Sequence, residues 1–146
     1  MLRKVEAFTL VELIIVVIIV GILASLGLTQ YSQIVEKSRL AEAKVNIGVM
    51  RQLAHEYYLN NGDMSGITSD DVGGAGVCNS GSFYRYIVGG KTATEVALDA
   101  YRCTSGGKSP NASRQYVFWM VYVPSTGQST WYCHYSDNWS TCFGLP

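Results

Sequence analysis

Residues 7–31 read "AFTLVELIIVVIIVGILASLGLTQY", and this stretch decides the fold. Its apolar run, residues 8–28, carries one charge, Glu12, near its start. About 20 apolar residues suffice to cross a ~30 Å hydrocarbon core as a helix, so the run is long enough to span a bilayer. Arg3 and Lys4 precede it, which places the N-terminus in the cytoplasm and everything after Leu28 outside. A carboxylate in such a segment is costly, by ~2.5–3.5 kcal/mol for Asp, Lys or Arg at mid-helix on insertion scales. Glu12 therefore calls for a partner.

The chain has 146 residues and a formal net charge of zero, with eleven basic and eleven acidic residues. That balance offers no basic field for nucleic acid and no acidic tail. All four cysteines, Cys78, Cys103, Cys133 and Cys142, lie beyond the apolar run. An even number on the exported side reads as disulfides. Zinc is the alternative, but no C-x-x-C pair and no suitably spaced His accompanies them. Three pairings exist, and Cys78–Cys103 with Cys133–Cys142 closes the smaller loops.

Downstream of the run the texture changes. Ala43, Ile47, Met50, Ala54 and Tyr57 recur at spacings of three and four, with Leu53 alongside, which makes one apolar stripe. Glu36, Lys37, Arg39, Glu42, Lys44, Arg51 and Glu56 supply charge elsewhere around it. No proline interrupts from Phe8 to Asn60, so residues 8–60 read as one helix of about 50 residues, apolar and then amphipathic, ~75 Å long at 1.5 Å per residue. "NNGD" (60–63) stops it.

Residues 61–146 form a head that begins with a loop. "SFYRYIV" (82–88) predicts a strand, and Thr92 with Glu95 in capping-box spacing predicts a short helix over 92–101. "QYVFWMVYV" (115–123), the turn "PSTG" (124–127) and "QSTWYCHY" (128–135) predict a hairpin. The sum is an α+β fold: a long N-terminal helix covering one face of a small antiparallel sheet of three strands.

Few residues suggest other chemistry. Tyr116, Phe118, Trp119, Tyr122, Trp131 and Tyr132 read as the core and faces of the sheet, because no basic groove is interleaved for stacking nucleic acid. His55 and His134 are lone histidines. No nucleophile–base pattern or phosphate loop stands out, so no enzyme and no cofactor is expected. Asp70, Asp71, Asp137 and Asn138 carry oxygens that suit calcium, yet adjacent side chains alone do not make a site, and no metal is assigned. Asn111 and Asn138 open glycosylation sequons.

Two ordinary readings exist for residues 1–28: a secretory signal cut near "SLG" (25–27), or a permanent single-pass anchor. Both leave Glu12 unexplained, and the first severs the apolar run from the helix that continues it.

The short basic leader "MLRKVEA", then Phe8, "TLV" (9–11), Glu12 and unbroken apolar residues resemble the N-terminus of type IV pilins and type II secretion pseudopilins. That resemblance implies cleavage by a prepilin peptidase between Ala7 and Phe8, and N-methylation of Phe8. Residues 1–7 would be the leader, 8–60 the long helix with 8–28 as membrane span and fibre core, and 61–146 the head. Glu12 would pair with the N-terminal amine of a neighbouring subunit, and Cys133–Cys142 would bound a surface-exposed C-terminal region. Implied partners are further copies of the chain in a helical filament, the assembly machinery, and the inner membrane before assembly. A pseudopilin in the periplasm and a minor pilin are the alternatives. Ala7 stands where the family usually has glycine, and Thr29 where many members have proline.

Overall fold

In the computed structural model, which describes residues 9–112, 115–136 and 142–143, and the backbone only of 28–30, helix α1 runs Leu10–Asn61. It is unbroken through Gly21, Gly27 and Thr29. The chain divides into two units, Met1–Glu36 and Lys37–Pro146. In the first, the described large apolar side chains of α1 between Leu10 and Leu26 are all solvent-exposed, from 45% at Ile14 to 74% at Leu10. This segment is long and apolar enough to cross a membrane.

In the second unit, α1 turns its predicted stripe inward. Ala43, Ile47, Met50 and Ala54 are buried, with Leu53 and Tyr57 packed at the margin, and Leu40, which the predicted stripe does not include, extends it by one turn. They face an antiparallel sheet of strands β1 (Tyr84–Lys91), β2 (Val96–Arg102), β3 (Tyr116–Val123) and β4 (Gln128–Tyr135), in that spatial order. Alternation decides the inner face: Tyr84 and Tyr86, then Val96, Leu98 and Ala100, then Tyr116, Phe118, Met120 and Tyr122 are buried. Polar tips inside this core find partners. Tyr84 and Tyr116 share a hydroxyl–hydroxyl bond of 2.7 Å, the Asn46 amide donates to the Tyr86 hydroxyl, and the Tyr122 hydroxyl meets His55 Nδ1 at 2.8 Å.

The hairpin expected over 115–135 is present as β3 and β4. The helix expected over 92–101 is not: residues 96–102 are a fourth strand. Thr92 and Glu95 do occupy capping-box spacing, but they close a tight turn instead. Thr92 N–H donates to Glu95 O at 2.9 Å and Glu95 N–H donates to the Thr92 hydroxyl at 3.2 Å. A helix would have turned Val96 and Leu98, two residues apart, to nearly opposite sides. The strand lines up Val96, Leu98, Ala100 and Arg102 on one buried face, between β1 and β3. Tertiary pairing overrides local propensity here.

Two further features fasten the head. Glu42 reads in sequence as one of the helix's solvated charges. Instead its carboxylate accepts from the Ser82 hydroxyl at 3.1 Å and Phe83 N–H at 3.0 Å, pinning the start of β1 to α1. Arg102 is fully buried, and its guanidinium donates to the carbonyls of Phe83, Cys103 and Ser109.

The structure joins Cys78 to Cys103 with Cα atoms 5.9 Å apart, and Cys133 to Cys142 with Cα atoms 5.3 Å apart. Gly107 presses on the first bridge, where a Cβ would lie 2.5 Å from that of Cys103. Cys78–Cys103 spans 25 residues and ties the segment after α1 to the end of β2. Replacing both cysteines by serine is expected to lower the unfolding free energy by ~3 kcal/mol, read as a reduced urea midpoint of the full chain in detergent. An unchanged midpoint would show that the bridge restrains nothing in the unfolded chain.

Candidate assembly site

The first turn of α1 explains part of Glu12. Thr9 precedes the helix, and its backbone N–H and hydroxyl donate to Glu12 Oε2 at 2.8 and 2.7 Å. Glu12 N–H returns a bond of 3.3 Å to the Thr9 hydroxyl. This is a reciprocal capping box, which satisfies amides that the helix leaves without partners. The carboxylate also lies at the positive end of the helix dipole.

Both donors fall on Oε2. Among the described residues Oε1 accepts nothing, so the cap orients the carboxylate and leaves one oxygen for another donor. Around it the surface is apolar and exposed: Leu10, Val11, Leu13, Ile14, Ile15 and Val16 are 45–74% accessible. Such a surface in water is unfavourable at ~25 cal/mol per Å², so it is built for lipid or for other helices.

The sequence reading placed a capping box at Thr92 and Glu95 and missed the one at Thr9 and Glu12. The signal was present, a threonine three residues before a glutamate that opens an apolar run. Ala7 and Phe8, the residues of the expected cut, lie outside the described residues.

Other candidates fall elsewhere. His55 bonds Tyr122, and His134 stands edge-on to Trp119 with ring centroids 5.2 Å apart. Asp71 is occupied locally: the Thr68 hydroxyl and amide donate to it and hold its carboxyl below the usual range. Asp137 and Asn138 lie outside the described residues, and among those described no three His, Cys, Asp or Glu side chains gather as metal ligands would. Of the aromatic set, Tyr116, Phe118 and Tyr122 are core. Trp119 and Tyr132 stack at 5.3 Å on the outer face, half-buried.

Comparison with known proteins follows the same division. Residues 2–28 match the prokaryotic N-terminal methylation motif. The chain is 34% identical over 110 residues to the type IV major pilin protein PilE of Neisseria gonorrhoeae, covering 75% of this chain and 60% of that protein. It is 27% identical over 128 residues to a fimbrial protein of Neisseria meningitidis serogroup B, covering 88% of this chain and 72% of that one. A "Probable minor fimbrial protein" of Dichelobacter nodosus is 44% identical over 61 residues, 42% of this chain and 38% of that protein. The chain thus spans 60% of the length of the gonococcal pilin and less of the minor protein. The methylation motif at its start, a helix of 52 residues and an antiparallel sheet following in that order make the chain similar to type IV pilins.

Proposed function

We propose that the chain is the structural subunit of a type IV pilus, made as an inner-membrane precursor and polymerised through its N-terminal helix. In this reading a prepilin peptidase removes residues 1–7, Phe8 becomes the methylated N-terminus, and residues 8–28 leave the bilayer for the fibre core. Residues 61–146 form the head that the fibre displays, and the chain is not an enzyme. The observation that carries the reading is the exposed apolar half of α1, opened by a carboxylate that its own cap holds in place. Extraction from lipid is feasible where identical helices replace lipid contacts by packing and by interhelical polar bonds. Copies stacking head to tail without closure give filaments rather than rings.

A minor pilin, present in few copies per fibre, is the second reading, favoured by the match of the N-terminal part to a minor fimbrial protein. Electron microscopy of sheared cell surfaces separates the two. Long fibres in which this chain is the main component are expected. Fibres that persist in a strain lacking the chain would reduce it to a minor role, and no fibres in any strain carrying it would overturn the pilus assignment.

A further inference from the structure

Asp99 is out of place. It sits mid-strand in β2 on the sheet face turned away from α1, yet it is only 8% exposed. Its Oδ1 is buried with no hydrogen-bond partner among the described residues. A buried charge without a partner is unfavourable unless the group is neutral or can reach water.

Its surroundings show where water lies. On β3 the directly paired residue is Trp119, and on β1 it is Ile87. Beyond Ile87 the pairing of β1 with β2 becomes irregular between Val88 and Lys91. There Gly89 lies against the carboxylate so closely that a Cβ would come within 2.0 Å of Asp99 Oδ2. Gly89 and Gly90 are themselves exposed. A strand segment with no side chain, a disrupted ladder and solvent on its far side is the thinnest cover over this group.

Among the described residues no cation compensates. Burial pushes the Asp99 pKa up to about 6, opposed in part from β2 by the Tyr101 hydroxyl, which favours the ionised form. From β1, Arg85 places its guanidinium over the Tyr101 ring at 4.8 Å. The Lys91 ammonium is engaged by the Ile67 carbonyl. β3 presents Val117, Trp119 and Val121 on this face, and on β4 the titratable Tyr132 and His134 meet the opposite side of Trp119.

We propose that Asp99 is a proton-operated latch on the β1–β2 hairpin: neutral, it keeps residues 88–96 closed over it, and ionised, it drives them off the sheet to reach water. Opening has a defined consequence. The hairpin end holds the loop after α1 through Met64 N–H to Ala93 O at 3.1 Å and through Lys91 to Ile67, so that loop is released with it.

The sign follows from the raised folded value. The closed form binds the proton more tightly than the open one, so closure is favoured below about pH 4–6 and weakens as pH rises through about 6. The opening equilibrium constant should grow about tenfold between pH 5 and 7.

The test is amide hydrogen exchange on the full chain in detergent at pH 5 and 7, corrected for intrinsic base catalysis. The amides of Val88, Thr92 and Met64, each hydrogen-bonded at the hairpin or its tie, report opening. Those of Phe118 and Met120 in β3 report global unfolding. The expected result is that the first group exchanges faster than the second and loses about tenfold of its protection between pH 5 and 7. Asp99→Asn should remove that loss while leaving the circular dichroism spectrum unchanged. Equal protection of both groups, or the same pH dependence in Asp99→Asn, would overturn the latch. Should that variant fail to fold, Asp99→Ser serves in its place, with the same outcomes.

Discussion

Glu12→Ala is expected to insert, fold its head and yet form no fibres. The carboxylate is exposed, and the hydrogen bonds it accepts come from Thr9, within its own unit of the chain. In a bundle of helices the same position is surrounded by apolar side chains. Cleavage before Phe8 would create an ammonium there, and an ammonium buried without its counter-ion is unfavourable by several kcal/mol. Breaking a buried pair by removing one partner costs ~3–5 kcal/mol, equivalent to roughly a hundredfold to several thousandfold weaker subunit addition.

The capping box sharpens this test. Glu12→Gln keeps an oxygen for Thr9 and so keeps the cap, but removes the charge. Thr9→Val removes the cap and keeps the charge, at a loss of ~1 kcal/mol of helix stability. If charge pairing governs assembly, Glu12→Gln fails with Glu12→Ala while Thr9→Val still makes fibres. If helix capping governs it, the order reverses. Quantifying sheared fibres by gel and microscopy reads both outcomes.

Arg102→Met should be among the most destabilising single changes in the head. The side chain is fully buried at the end of β2, with ring contacts to Phe83 and Tyr84 at 5.5 and 5.9 Å. Methionine fills comparable space but leaves the carbonyls of Phe83, Cys103 and Ser109 without these donors. The Phe83 and Cys103 carbonyls keep backbone donors, Cys103 N–H at 3.0 Å and Asn111 N–H at 2.9 Å, so the abandoned acceptor is Ser109 O. With the lost charge-assisted bonds, a net loss of ~2 kcal/mol is expected. Arg102→Lys should recover less than half, because an ammonium is a point donor and lacks the planar fork that reaches separate carbonyls. Arg85→Met, on the outer face, is the control and should change stability by under ~1 kcal/mol. Urea unfolding of the three variants measures this, and equal losses at 85 and 102 would contradict it.

What could be read from sequence divides by the range of the forces involved. The long helix was legible because 8–28 is unbroken apolar chain and the stripe from Ala43 to Tyr57 keeps helical spacing. The hairpin of β3 and β4 was legible because "PSTG" separates two β-rich runs. β2 was hidden. "VALDAYR" contains alanines, an acid and a base, a poor strand by composition, and only its neighbours on both sides make it one.

The same holds for single residues. Glu42, Arg102 and Asp99 look like surface charges in a list. One pins β1 to α1, another collects three carbonyls, and the third is buried beside a glycine. None of these roles has a local signature, because the partners follow no fixed spacing and lie from 1 to 41 positions away. The cap at Thr9 was local and readable. Glu12 lay under a stronger expectation drawn from the family, and its second role at the helix start escaped notice.

The central claim is that residues 8–28 become the core of a fibre after the leader is removed. Mass spectrometry of intact subunits from purified surface filaments tests it most directly. The account predicts a chain that begins at Phe8, carries one methyl group on its terminal amine, and holds both disulfides. A chain that retains residues 1–7, or one that begins after the apolar run, would contradict it.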